Sequence, residues 1–425
     1  MKAAQLTASQ AARLIRSGKL TAEELVNACL EQIGRREKAV KAWAWYDAES
    51  ALDLARKLDR ADGMRGPLHG IPIGVKDVID TADMPTQYGS PIYRDFQPRW
   101  DASCVSLARR AGALVLGKTA TAEFASIHPA PTRNPLNLDH TPGGSSSGSA
   151  AAVADYMVPL AFGTQTAGST IRPAAFCGVV GYKPTFNLIN RSGLKFSAES
   201  LDTIGLFGRS VEDVALFAHA VSGQDMPELA RLQGTPRVGL HRTAHWQQAS
   251  LPARGALEHA AQRLAAAGAQ VEELVLAPAF ERLYESHAVI IRYESARAMA
   301  WETRHRRAML SDAFAERMDQ GIAISHSDHQ AALVQSEHCQ KTFAAAIAGY
   351  DVLITPSAAG EAPLGLTATG DSLFNRNWTL LGVPCINLPA GLGPCGLPLG
   401  IQVVGPHRHD LETLRWAHWI EAALA

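Results

Sequence analysis

Two tracts of small residues constrain this chain more than any other feature. They are Thr141-Pro142-Gly143-Gly144-Ser145-Ser146-Ser147-Gly148-Ser149 and Gly163-Thr164-Gln165-Thr166-Ala167-Gly168-Ser169-Thr170. By composition alone either could be a flexible linker. A linker has no reason to open straight into a helix, yet the first runs into Ala150-Ala151-Ala152-Val153-Ala154 and the second into Ile171-Arg172-Pro173. Pro173 suits the first turn of a helix. Both tracts therefore read as tight turns facing helix N-termini.

Short apolar runs around these turns supply the strands. Ile71-Pro72-Ile73-Gly74-Val75-Lys76 and Ala113-Leu114-Val115-Leu116 are bounded by glycines and read as buried strands, with Lys76 at the inner end of the first. Thr21-Ala22-Glu23-Glu24 has the form of a capping box, and Leu25, Cys29 and Ile33 follow at helical spacing, which predicts a helix over 22–36. Further helices are expected over 48–60 and 104–111. Alternation of helix and strand argues for an α/β sheet.

Residues 223–236 are polar, contain Gly223, Pro227, Gly234 and Pro236, and read as a connection. A strand over 237–240, a helix over 253–267 and a strand over 270–275 come next. Residues 279–348 carry no strand pattern and read as several helices forming a cap or peripheral layer. Strands resume at 351–355 and 398–404, and a helix with Leu411 and Leu414 on one face closes the sequence. No fixed-period repeat is visible.

Hydrophobic residues at 47% and charged residues at 19% of 425 allow a sizeable core and exclude a disordered chain. Lys and Arg number 40 against 41 Asp and Glu, so no electrostatic footprint for nucleic acid or an anionic membrane exists. No apolar stretch is long enough for a membrane span, and residues 1–19 lack a signal-peptide core, so a cytoplasmic protein is expected. Six scattered cysteines form no Cys-x-x-Cys pair and are expected as buried thiols. His326-Ser327-Asp328-His329 and His407-Arg408-His409 lack further ligands at suitable spacing and read as solvated surface residues. Neither a metal nor a cofactor is expected.

Several motifs fit by letter and fail on context. Gly112 to Thr119 matches Gly-x-x-x-x-Gly-Lys-Thr of nucleotide-binding phosphate loops, with Lys118 as its lysine. Such a loop follows a strand, whereas here the four intervening residues are apolar and form the strand themselves. Gly144 to Gly148 matches the Gly-x-Ser-x-Gly elbow, which would make Ser146 a nucleophile, but Pro142 spoils the strand an elbow needs. Ser192-Gly193-Leu194-Lys195 fits Ser-x-x-Lys without its companion motifs and is a chance match.

Three segments remain, and together they are far more specific than any one: Gly70 to Asp77 (GIPIGVKD), Pro142 to Ser149 (PGGSSSGS), and Thr164 to Pro184. In their order and spacing they resemble the amidase signature family of serine hydrolases. The resemblance is densest over 66–185 and resumes at 351–356 and 396–402. It implies a single domain over 1–425 with a core over 66–222 and a cap-like helical region over 279–348. The implied fold is α/β, a large mixed β-sheet covered by helices on both faces.

Residue by residue, the resemblance implies Lys76 as catalytic base, Ser145 as bridging serine after a cis peptide bond, and Ser169 as nucleophile. The backbone N–H groups of Thr166, Ala167, Gly168 and Ser169 would form the oxyanion hole, where a turn leads into a helix. Amide hydrolysis needs a deprotonated attacking oxygen, a proton for the leaving amine and donors for the tetrahedral oxyanion. A lysine with an ordinary pKa of ~10.4 must fall by roughly three units to be largely neutral at pH 7, at a cost of about 4 kcal/mol.

The implied activity is hydrolysis of a small acyl amide to a carboxylic acid and ammonia or an amine. The same site could instead cut carbamates, urea-like bonds or esters, or serve as the glutaminase subunit of a tRNA-dependent amidotransferase, which requires partner subunits. A homodimer is left open. Many members read Thr-Asp-Thr-Gly-Gly-Ser-Ile-Arg, whereas this chain has Gln165 for the acid, Ala167 for a glycine, and its arginine displaced to Arg172. Ala125, Gln165, Trp378 and Thr379 are candidates for lining the substrate pocket.

Overall fold

The computed structural model describes residues 2–226, 229 and 234–425. Its centre is one mixed sheet of eleven strands. In chain order these are β1 (Trp43–Tyr46), β2 (Pro72–Lys76), β3 (Leu114–Thr119), β4 (Leu160–Gln165), β5 (Val180–Lys183) and β6 (Thr203–Gly208). The later ones are β7 (Arg237–Leu240), β8 (Gln270–Glu273), β9 (Val352–Pro356), β10 (Cys385–Leu392) and β11 (Pro398–Val404). Their spatial order is β1-β3-β2-β4-β6-β5-β10-β11-β9-β7-β8.

β2 lies parallel to both β3 and β4. These connections cross over through Ser103–Arg110 and Ser147–Ala154, as parallel pairing requires. Every residue of β2, β3, β4, β5, β6 and β9 is buried. A strand with no exposed position needs cover on both faces, and helices provide it.

The helices expected from sequence form at Ala22–Val40, Ala48–Asp59, Ser103–Arg110, Ser147–Ala154, Leu251–Ala266 and Asp410–Leu424. The Thr21 capping box is made on both sides, with the Thr21 side chain accepting from the Glu24 N–H and Glu24 accepting from the Thr21 N–H. Over 279–348 the chain forms helices without a strand, principally Leu283–Ala298, Asp312–Ile322 and His326–Ala346. Of the expected connection at 223–236, residues 227, 228 and 230–233 lie outside the described residues.

Strands β1, β4, β5, β6 and β10 have no counterpart in the sequence reading, and the reasons are local. β4 reads LAFGTQ, so Gly163, Thr164 and Gln165, expected in a turn, complete a strand held between β2 and β6. β5 is only four residues long, β6 carries Gly205 and Gly208, and β10 contains Pro389. Gly205 is required by its surroundings: a Cβ there would lie 2.1 Å from Thr170 Oγ1. The turn that starts the helix Ile171–Cys177 therefore rests directly on the sheet.

Two expectations about side chains need correction. His329 is buried rather than solvated, stacked on Tyr293 and 3.2 Å from a carboxylate oxygen of Glu294. Cys395 is exposed, while the other five cysteines are buried thiols. Among the described residues, no helix is long and apolar enough to cross a membrane.

Candidate active site

Lys76 ends β2, which is flanked by β3 and β4, with its side chain fully buried. Its Nζ lies 2.8 Å from Ser145 Oγ and 2.7 Å from Thr164 Oγ1 at the end of β4. Burial disfavours the ammonium form and pulls the Lys76 pKa down to about 7, against the opposing charge of Asp202. The peptide bond between Gly144 and Ser145 is cis. Arg172 Nη2 donates to the Gly144 carbonyl at 2.5 Å, and the Ala122 N–H donates to the Ser145 carbonyl at 3.1 Å. Ser146 pins the same tract to β4, its Oγ within 3.2 Å of both the N–H and the carbonyl of Thr164.

Beyond β4, three successive carbonyls are held from outside the turn. The Thr166 carbonyl accepts from His287 Nε2 at 2.8 Å, the Ala167 carbonyl from Thr379 Oγ1 at 2.7 Å, and the Gly168 carbonyl from the Arg172 N–H at 2.9 Å. Among the described residues, the backbone N–H groups of Thr166, Ala167, Gly168 and Ser169 donate to no protein acceptor. Four adjacent unpaired donors at the edge of a cavity form a place where negative charge is welcome.

Asp202 stabilises the turn from below, accepting from Thr166 Oγ1 and from the N–H groups of Ser197 and Ala198. Burial raises its pKa to about 6 despite those bonds and the nearby Lys76. His287 is buried, which lowers its pKa to about 3. As a carbonyl can only accept, its proton sits on Nε2, and Nδ1 has no partner among the described residues.

Thr166, Ala167 and Ser169 line a cavity of about 500 Å³. The remaining wall includes Ala125, Arg172 and residues 368–372, with His287, Ile291, Arg292 and Arg317 from the helical region. The structure thus brings Lys76 and Ser145 into contact and puts Ser169 on the cavity wall. Among the described residues, the Ser169 hydroxyl has no protein hydrogen-bond partner, so no bond to Ser145 closes the chain of three.

Of the four pocket candidates, Ala125 alone lines this cavity. Gln165 is buried behind the turn: its Oε1 accepts from the N–H groups of Thr170 and Ile171, and its Nε2 donates to Thr379 Oγ1 at 2.9 Å. Gln165 and Thr379 are therefore braces rather than walls. Trp378 faces a different cavity, of about 190 Å³, where its ring meets His241. Asp202, His287, Arg292, Arg317 and Arg376 are not among the candidates the sequence offers, and Thr164 stands there only as the first residue of the third motif segment. For His287 a signal existed, since it shares a helical face with the buried Leu283, Ile290 and Ile291.

The rejected motifs fare as their context suggests. Lys118 lies in β3, fully buried, donating to the Ile79 carbonyl and Thr86 Oγ1 and pairing with Asp77 at 3.5 Å. Ser146 is tied to β4 as described, and Lys195 pairs with Glu302 at 2.5 Å. Among the described residues, no group of three His, Cys, Asp or Glu side chains could hold a metal.

A family model described as Amidase matches residues 24–414. A glutamyl-tRNA(Gln) amidotransferase subunit of Symbiobacterium thermophilum is 33% identical over 473 aligned residues, covering 97% of this chain and 96% of that protein. A crystal structure described as an amidase superposes with a TM-score of 0.90 at 31% identity, covering 99% of this chain and 100% of the other. A structure of a vestigial protein complex that reveals the origins of an s-triazine catabolic enzyme gives 0.91 at 27% identity, covering 98% of both chains.

Proposed function

The chain belongs to the amidase signature family, and from that premise we propose that it hydrolyses an amide to a carboxylic acid and ammonia or an amine, with Ser169 as nucleophile. The observation that carries this reading is the buried Lys76–Ser145 pair, with the lysine held near neutrality beside a turn of unpaired N–H groups.

Neutral Lys76 takes the Ser145 proton while Ser145 takes that of Ser169, and the Ser169 oxygen bonds to the substrate carbonyl carbon. The developing oxyanion is received by the N–H groups of the 166–169 turn. When the C–N bond breaks, the proton returns through Ser145 to the leaving nitrogen, which departs as ammonia or an amine. Water then attacks the acyl-Ser169 ester through the same relay, releasing the acid and restoring the hydroxyl. The bond between Ser169 and Ser145 that completes this relay would form in the substrate complex, since catalytic hydrogen bonds commonly tighten on binding. Carbamates, urea-like bonds and esters form the same tetrahedral intermediate and fall within reach of the same groups.

A second reading, the ammonia-releasing subunit of a tRNA-dependent amidotransferase, is favoured by full-length likeness to glutamyl-tRNA(Gln) amidotransferase subunits. The alignment with the Symbiobacterium protein runs over 473 residues against 425 in this chain, so that relative carries internal segments missing here.

The test is ammonia release by the purified chain from a panel of amides that includes glutamine, with intact-mass detection of the acyl-enzyme. Ser169→Ala is expected to abolish both signals. Near-normal turnover by Ser169→Ala would overturn the mechanism, and turnover of glutamine alone, seen only with copurifying partners, would select the second reading.

A further inference from the structure

The charge of the cavity is lopsided. Arg172, Arg292, Arg317 and Arg376 line it with one carboxylate, Asp371. Arg172 Nη2 is bound to the Gly144 carbonyl and Thr369 while its Nε has no partner among the described residues, and Arg376 is bound to Asp371 at 3.2 Å and Ser372 at 3.0 Å. Asp371 is thereby already paired. The guanidinium groups of Arg292 and Arg317 have neither a hydrogen bond nor an ion pair among the described residues, and the Arg317 Nε is shut off from solvent without any partner.

These two arginines come from different helices, Leu283–Ala298 and Asp312–Ile322. The helices meet at Gly321, where a Cβ would lie 2.1 Å from the Arg292 carbonyl oxygen. Backbones that close set Arg292 and Arg317 on one wall of the cavity that holds Ser169. Burying guanidinium without an anion is unfavourable, and its planar fork matches a carboxylate in two-point contact. The remaining cavity-lining titratable group, His287, is uncharged and cannot supply the missing anion.

We infer that Arg292 and Arg317 form a carboxylate clamp, so that the substrate is the monoamide of a dicarboxylic acid, its free carboxylate held by the helical wall and its amide carbonyl at Ser169. The inference rests on the amide-hydrolase reading. Water and a dicarboxylic acid monoamide yield a dicarboxylate and ammonium: the C–N bond breaks, a C–O bond forms, and nothing is oxidised. An amino-acid amide such as glutamine shares the carboxylate but adds an ammonium group. The one carboxylate that could meet that ammonium, Asp371, is already bound to Arg376.

The experiment compares wild-type kcat/KM for succinamate, glutaramate, glutamine and the neutral butyramide, and measures calorimetric binding of succinate and glutarate to the Ser169→Ala protein. Succinamate or glutaramate is expected to exceed butyramide by about 100-fold and to exceed glutamine as well, in line with charge-assisted hydrogen bonds. Arg317→Ala, made in both backgrounds, is expected to weaken dicarboxylate binding by about 10-fold or more and to lower the succinamate-to-butyramide ratio, with partial recovery in Arg317→Lys.

Equal efficiency on butyramide and both monoamides, or dicarboxylate binding indifferent to Arg317→Ala and Arg292→Ala, would overturn the clamp. Glutamine as the best substrate would also overturn it, in favour of an amino-acid site. If dicarboxylates bind as expected but no amide is cut, the clamp stands and the amide-hydrolase reading fails.

Discussion

Lys76 sits where an ammonium ion is least stable, at the end of a fully buried strand with two hydroxyls as its neighbours. Its ordinary pKa of 10.5 falls to about 7 on folding. The sign of that shift bears on both activity and stability. Because the amine must be neutral to accept a proton, kcat/KM should rise with pH and level off above about pH 7, a limb readable in a pH–rate profile. For stability, a depressed lysine pKa means that the unfolded chain binds the proton more tightly. Stability from this group is complete above pH 10.5 and declines as pH falls towards about 7, below which it declines no further. Lys76→Met removes that penalty at pH 7. The variant should be inactive yet melt higher, by about 2 °C or more after the two lost hydrogen bonds are allowed for, as calorimetry would show. Lys76, Ser145 and Ser169 are legible in the sequence because each stands in a short motif. Asp202 is not, since a buried acid bound to backbone leaves no local pattern, and His287 shows in sequence only as one position on a buried helical face.

Among the elements, β4 and the turn after it decide how the site is held. Gln165 is the departure that stands out in sequence, and its amide explains itself in the structure. One side accepts two N–H groups at the start of the helix Ile171–Cys177, and the other donates to Thr379, which holds the Ala167 carbonyl. A carboxylate could do the first but not the second. Gln165→Ala should therefore lower kcat about 10- to 100-fold with a smaller change in KM, because the loss falls on the turn proposed to receive the oxyanion rather than on substrate contacts. Steady-state kinetics on the best amide of the panel would check this. Gly205→Ala presses a methyl group into Thr170 and should cost about 1–3 kcal/mol in denaturant unfolding. It should also displace the neighbouring Ser169, so activity measured where the protein remains fully folded should fall as well.

Across the molecule, the sheet joins two parallel groups, β3-β2-β4 and β9-β7-β8, through antiparallel strands between them. The helices over 279–348 close one side of the cavity and contribute His287, Arg292 and Arg317. At the β8 edge Glu272 and Glu273 are exposed, and charge at an open edge discourages pairing with another sheet. If the chain works alone, ammonia release by a preparation shown by light scattering to contain only this polypeptide should be undiminished by further purification. Loss of activity when a second protein is removed would instead mark one component of a complex.

Read locally, the chain specifies the α/β alternation, most helices with their caps, and the three motif segments. These are encoded in periodicity and in short runs that need no knowledge of distant neighbours. Folding alone decides that Gln165 and Thr379 brace the turn, that Trp378 belongs to another cavity, and that five strands too short, polar or glycine-rich to be read alone complete the sheet. It also decides that arginines distant in the chain share one wall with Ser169. The physical reason is common to all of these: pairing and burial are settled by neighbours remote in sequence, and a charge acquires its meaning from what the fold places opposite it.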